Sequence, residues 1–117
     1  MRSLQCRIEF SPPPVTPLIG TLRVRVVEMG RADASAVVMA ESTIEDCQVD
    51  PEQGWPMVTL TVAPPEPPQQ FALEAHLDVD GSGETSVGDY RTMEHFSVTG
   101  DDLGRGEVLT AQVREVS

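Results

Sequence analysis

The alternation of apolar and polar residues constrains the fold of this chain more than any other feature. Leu22, Val24 and Val26 alternate with polar neighbours, and the same period of two recurs at residues 58–62 and 71–77. Successive side chains of a β-strand point to opposite faces, so this pattern predicts strands with one buried and one solvated face. No segment shows the 3.6-residue period of an amphipathic helix.

Seven segments carry a strand pattern, and turn-forming residues separate them. They cover residues 4–10, 20–27, 36–44, 55–62, 71–77, 90–98 and 107–116. Short strands at this spacing are typical of a sandwich. We therefore predict one all-β domain over residues 1–117, a single antiparallel β-sandwich of about seven strands with little or no helix. The predicted core consists of Leu22, Val24, Val26, Val58, Leu60, Phe71, Leu73, Leu77, Phe96, Leu109 and Val113.

The charge of the chain is strongly negative. Its formal net charge is −11, and its pI is near 4.3. Proteins bind nucleic acids by neutralising phosphates with Lys and Arg, so this charge argues against a nucleic-acid partner and against anionic membrane surfaces. It favours cations or basic surfaces of partner proteins.

The N-terminus and the apolar runs bear on localisation. Residues 1–5 read MRSLQ and lack the apolar segment of a signal peptide, and no apolar run has the length of a transmembrane span. We expect a cytoplasmic protein as the sequence stands, or a periplasmic or envelope protein if a signal segment has been removed. Cys6 and Cys47 are the two cysteines, and we expect both to be reduced.

The stretch DVDGSGETSVGD holds the densest group of candidate metal ligands. Asp78, Asp80 and Ser82 occupy its first, third and fifth positions, Glu84 the seventh and Asp89 the twelfth. Calcium takes six to eight oxygen ligands, and the seventh position of a calcium loop contributes its backbone carbonyl. The spacing therefore predicts a candidate calcium site. We expect the protein to require no cofactor.

Two interpretations of this stretch stay open. An EF-hand needs a helix on each side of its loop, but a strand pattern precedes this loop at residues 71–77. Asp-Gly and Ser-Gly pairs also form ordinary turns, so the alternative is a solvated hairpin loop that binds no ion.

Residues that could carry catalysis are sparse. The sequence lacks the GxSxG, HExxH and phosphate-binding glycine motifs. His76 and His95 are the two histidines, and a zinc site would need a further ligand for which the sequence offers no candidate. We therefore expect a protein that is not an enzyme, with solvated histidines.

Several short motifs carry a resemblance to a known family. Residues 24–34 read VRVVEMGRADA, residues 38–41 read VMAE, residues 88–90 read GDY and residues 96–98 read FSV, before a valine-rich closing strand. Over roughly residues 20–116 the chain thereby resembles the YbaY/YscW-type small lipoprotein family. The resemblance implies a compact β-sandwich. It also implies a role without catalysis, because secretion-linked members act as pilots or chaperones for outer-membrane secretins.

Three functional hypotheses follow from the sequence. The first is a non-enzymatic interaction or chaperone-like module with a protein partner, because a sheet offers exposed edges for strand addition. The second is a calcium-binding structural or carbohydrate-binding module that uses the loop from Asp78 to Asp89. The third, an enzyme that uses scattered carboxylates, has no specific motif behind it. The sequence leaves the oligomeric state open.

Overall fold

A computed structural model shows how the chain folds and describes residues 2–29, 37–66, 69–94, 96–99, 103 and 108–117. Within these residues the protein is all-β and contains no helix, and so none that could span a membrane. The eight strands are β1 (Arg2–Phe10), β2 (Leu18–Met29), β3 (Val37–Val49), β4 (Met57–Val62), β5 (Gln70–Asp78), β6 (Tyr90–Thr92), β7 (Phe96–Val98) and β8 (Val108–Glu115).

All eight strands belong to one sheet. Its order is β3-β2-β5-β6-β8-β1-β4, and β7 pairs with β5 beside this path. The sheet curls until its two end strands, β3 and β4, come close together, and an isolated bridge joins Asp50 to Gly54 in the turn between them. The predicted sandwich is therefore wrong, because a sandwich needs two separate sheets packed face to face. The structure instead forms a nearly closed, barrel-like sheet.

The pairing of β1 with β8 decides this shape. These two strands run parallel, with Gln5 opposite Val108 and Phe10 opposite Val113. The prediction of a purely antiparallel sheet is therefore also wrong. Strand count and turn spacing are the same for a sandwich and for a barrel-like sheet, whereas the pairing of the first with the last strand depends on long-range contacts.

The predicted sixth strand is divided into β6 and β7. Both strands pair with β5, but β5 advances three residues from His76 to Leu73 while the opposite chain advances five, from Arg91 to Phe96. Two extra residues therefore interrupt the ladder, as in a bulge that carries more than one residue. This insertion turns the predicted count of seven strands into eight.

The core fills the inside of the curved sheet. Nine of the eleven predicted core residues are buried, and Phe96 and Leu109 are half-buried against the same cluster. The first strand contributes four buried residues that the prediction omitted, among them Ile8 and Phe10. The ring of Phe10 contacts those of Trp55 and Tyr90, with centroid distances of 5.7 and 5.1 Å. Trp55 thus packs on the core.

Both cysteines lie inside this core as free thiols. Burial raises the pKa of Cys6 from 9.0 to about 12 and also raises the pKa of Cys47. The thiolate is the reactive form of cysteine, so both side chains are poor nucleophiles in the folded protein.

We predict that folding protects Cys6 from alkylation. At about pH 8, the raised pKa alone lowers the thiolate fraction of Cys6 by on the order of a thousandfold, and burial blocks the reagent as well. Iodoacetamide labelling followed by peptide mass spectrometry should therefore show slow modification of the folded protein and fast modification in guanidinium. Equal alkylation rates in the folded and unfolded protein would show that Cys6 is not buried in the core.

Candidate functional site

The loop between β5 and β6 contains the candidate metal ligands and begins at a buried aspartate. Asp78 is 1% exposed, and its two carboxylate oxygens accept the backbone N–H groups of Gly81 (3.0 Å) and Gly83 (2.7 Å). Both glycines have positive φ angles, 74° and 81°, which few other residues adopt. The turn therefore wraps around the Asp78 carboxylate and gives its charge two donors.

A second buried aspartate closes the loop. Asp89 is fully buried, and its oxygens accept the N–H groups of Val79 (2.9 Å) and Ser86 (3.0 Å). Its Oδ2 also lies 2.9 Å from Nε2 of His76. The backbone carbonyl of Asp89 accepts the N–H of Val116 at 2.7 Å, which ties the loop to the end of the chain. Asp78 and Asp89 thus hold the loop from its two ends.

A basic side chain lies beside each of the two buried carboxylates. Arg23 on β2 places Nη1 3.6 Å from Oδ2 of Asp78, and His76 on β5 contacts Asp89. Burial by itself would raise the pKa of Asp89, but the hydrogen bonds from His76, Val79 and Ser86 outweigh burial and lower it. Asp89 is therefore held as a carboxylate by the donors around it.

Asp80 differs from its two neighbours because it is exposed. The backbone N–H of Ser82 donates to its Oδ1 at 3.1 Å. This hydrogen bond, with the nearby side chains of Asp78 and Ser82, lowers the pKa of Asp80 to about 2. Asp80 therefore adds an exposed carboxylate beside the two buried ones.

The structure brings together three of the five predicted calcium ligands. One carboxylate oxygen from each of Asp78, Asp80 and Asp89 lies within 4.8 Å of the others. The other two predicted ligand atoms bond to each other, since the hydroxyl of Ser82 donates to the carbonyl of Glu84 at 3.0 Å. Each carboxylate oxygen of the buried Asp78 and Asp89 already accepts a backbone N–H group. A cation at this point would therefore share these oxygens with the backbone donors.

The loop interactions that sequence reasoning missed are structural. The sequence predicts Asp78 and Asp89 as metal ligands. In the structure both accept backbone N–H groups, Asp78 lies beside Arg23, and Asp89 contacts His76. The Asx-turn signal of DVDGSG was present and could have indicated the Asp78 turn. No sequence signal linked His76 to Asp89, which lies 13 residues away. The second histidine, His95, lies outside the described residues.

We predict that Asp89→Asn destabilises the protein far more than Asp80→Asn. Asparagine replaces one acceptor oxygen with an N–H₂ group that faces another donor, and such a loss at a buried site costs about 1–3 kcal/mol. Asp80 is exposed, so its amide variant serves as the matched control within the same loop. Urea unfolding at neutral pH measures the difference, and equal losses would show that Asp89 does not anchor the loop.

The lowered pKa of Asp89 predicts that the stability of the protein depends on pH. The folded-state pKa of Asp89 lies below its unfolded value of about 3.9, so its contribution is present above that pH and is lost as pH falls through the folded pKa. The unfolding free energy of the wild type should therefore fall more steeply below about pH 4 than that of Asp89→Asn. Parallel acid profiles would contradict the lowered pKa.

A comparison with solved structures places the fold among known proteins. No protein-family model matches the chain, and no curated protein matches it. The structure of an alternative pilotin from the type II secretion system of Vibrio cholerae superposes with a TM-score of 0.72 at 17% sequence identity, over 99% of this chain and 97% of that chain. The YbaY/YscW-type resemblance thus stays a prediction, while the match shows that the chain has a pilotin-like fold.

Proposed function

We propose that this protein is a non-enzymatic, pilotin-like module that binds a protein partner in the cell envelope. The observation that carries the proposal is the likeness to the pilotin fold, which extends over nearly the whole of both chains. The short motifs that resemble the YbaY/YscW-type family support the same role, and the sequence offers no catalytic motif in its place. The proposed partner is an outer-membrane secretin.

The free edge of β3 supplies a surface for such a partner. β3 is 13 residues long, and the described part of the chain pairs it along one side, with β2. Val37 and Val38 at its start are 45% and 46% exposed. An unpaired edge presents backbone donors and acceptors to which an extended peptide can add as a further strand.

The charge of the protein favours the same kind of partner. The net charge of −11 attracts a basic segment and repels acidic competitors. The proposed complex is therefore a strand of the partner paired with the first residues of β3, away from the turn to β4, with apolar contacts at Val37 and Val38.

Site-specific photo-crosslinking in the source organism tests this proposal. A photoreactive amino acid at Val38 should crosslink to a secretin, whereas one at Met57 should not, although Met57 is 47% exposed and lies on the opposite end strand. The double variant Val37→Lys/Val38→Lys should weaken the crosslinked complex about tenfold, since lysines on an edge oppose strand addition. Crosslinking of a secretin through Met57 would show that the interface does not lie at β3. If no envelope protein is crosslinked, the proposed pilotin-like role is wrong.

A calcium-dependent structural or carbohydrate-binding role is the second candidate function. The convergence of Asp78, Asp80 and Asp89 favours it, because three like charges within 4.8 Å repel one another. Even in water such repulsion costs about 1 kcal/mol per pair at this distance. A divalent ion would relieve it and stabilise the folded state by linkage.

Thermal unfolding with metal ions tests this second candidate. Millimolar calcium should raise the melting temperature, because calcium loops without a preorganised helix pair bind with a Kd of about 10⁻⁴–10⁻³ M. Magnesium at matched ionic strength should have no such effect, and Asp80→Ala should abolish the response to calcium. Equal responses to both ions, unchanged in Asp80→Ala, would reduce the loop to a solvated turn.

A further inference from the structure

Basic side chains form a row across the outer face of the sheet. Arg23 on β2 pairs with His76 on β5, His76 pairs with Arg91 on β6, and Arg91 pairs with Arg114 on β8. Residues paired in register project from the same face of a sheet, so these four side chains lie side by side. The row is notable in a chain whose Lys and Arg total 8 against 19 acidic residues.

A pocket opens beside this row at the break between β6 and β7. Among the described residues, Glu74 and Ala75 of β5 have no ladder partner opposite the break, and the N–H of Ala75 donates to Oγ1 of Thr92 at 3.4 Å. The pocket has a volume of about 240 Å³ and is lined by Arg23, Arg25, His76 and Arg91, as well as by Glu74 and Thr92. Its lining therefore carries three arginines and one glutamate.

The arginines of this pocket retain unused hydrogen-bond donors. Nη1 of Arg23 is buried without a hydrogen bond, because Asp78 lies 3.6 Å away. Arg25 places Nε 3.2 Å from Glu41, and its terminal nitrogens make no hydrogen bond within the described part of the chain. Arg91 has no acidic partner among the described residues. It lies in register with Arg114, and like charges in register destabilise a sheet. Arg114, its cross-strand neighbour, turns to Glu94 at 3.3 Å.

We propose that this pocket binds a single oxyanion group, a carboxylate or a phosphoryl group, held by Arg91 together with Arg23 and Arg25. A guanidinium presents its donors in a planar fork that matches both groups. The hydroxyl of Thr92, whose oxygen accepts from Ala75, keeps its own hydrogen to donate. A volume of about 240 Å³ suits one small anion, since pockets for drug-sized ligands occupy about 300–1,000 Å³.

This inference is independent of the partner protein. The row lies on β2, β5, β6 and β8, whereas the proposed partner edge is β3, so either site can exist without the other. A bound anion would also reduce the repulsion between the aligned arginines, so it should stabilise the folded protein.

Anion titration of the full chain tests the site. Sodium phosphate and sodium acetate are the probes, each followed by NMR of the arginine Nε–H resonances at ionic strength held constant with sodium chloride. Saturable shifts of the Arg91 resonance are expected with at least one probe, and which probe binds identifies a phosphoryl or a carboxylate ligand. Arg91→Ala should weaken the binding that Arg23 and Arg25 report by about tenfold.

Arg7→Ala is the matched control for the loss of one positive charge. Arg7 is exposed on β1, outside the pocket, so its removal should leave the affinity unchanged. Arg91 is exposed as well, so its substitution should preserve the fold, and the amide spectrum of each variant checks this. The proposal fails if neither probe produces saturable shifts, or if Arg7→Ala and Arg91→Ala weaken binding equally.

Discussion

The parallel pairing of the first and last strands is the interaction on which the rest of the structure depends. β1 lies between β8 and β4, so it joins the end strand β4 to the remainder of the sheet. Its inward residues Leu4, Cys6, Ile8 and Phe10 are buried and form one wall of the core. Without this pairing the sheet would end at β8, and the apolar faces of both parts would meet water at about 25 cal/mol for each Å² exposed.

Buried charge organises the loop that joins β5 to β6. Two carboxylates that are at most 1% exposed can persist there because four backbone N–H groups donate to their oxygens and because Arg23 and His76 lie beside them. Buried charges are costly unless they are paired and hydrogen-bonded. One carboxylate oxygen of the exposed Asp80 lies within 4.8 Å of oxygens of both buried aspartates, so three carboxylates converge at this point.

The sheet carries an apolar surface at one edge and a basic surface on its outer face. The edge of β3 carries exposed valines, whereas the centre of the sheet carries the basic row of Arg23, His76, Arg91 and Arg114. An ion pair between Arg25 and Glu41 connects β2 to β3 between these surfaces. A protein of net charge −11 thereby keeps a local region of positive charge.

Sequence alone determined the approximate positions of the strands, much of the core and the residues of the loop. A period of two requires only local geometry, so it located every strand except for the division of residues 90–98, and it identified the buried faces of β2, β4 and β5. Spacing also brought Asp78, Asp80 and Asp89 into one group, because they belong to one short loop.

Only the tertiary structure decided how these parts combine. The parallel β1–β8 pairing turned an expected sandwich into one curved sheet, and no local signal encodes a contact between the two ends of a chain. Register likewise aligned Arg23, His76, Arg91 and Arg114, which are scattered through the sequence, into one row. Side-chain pattern sets which face of a strand is buried, but the neighbours of a strand depend on the free energy of the whole sheet.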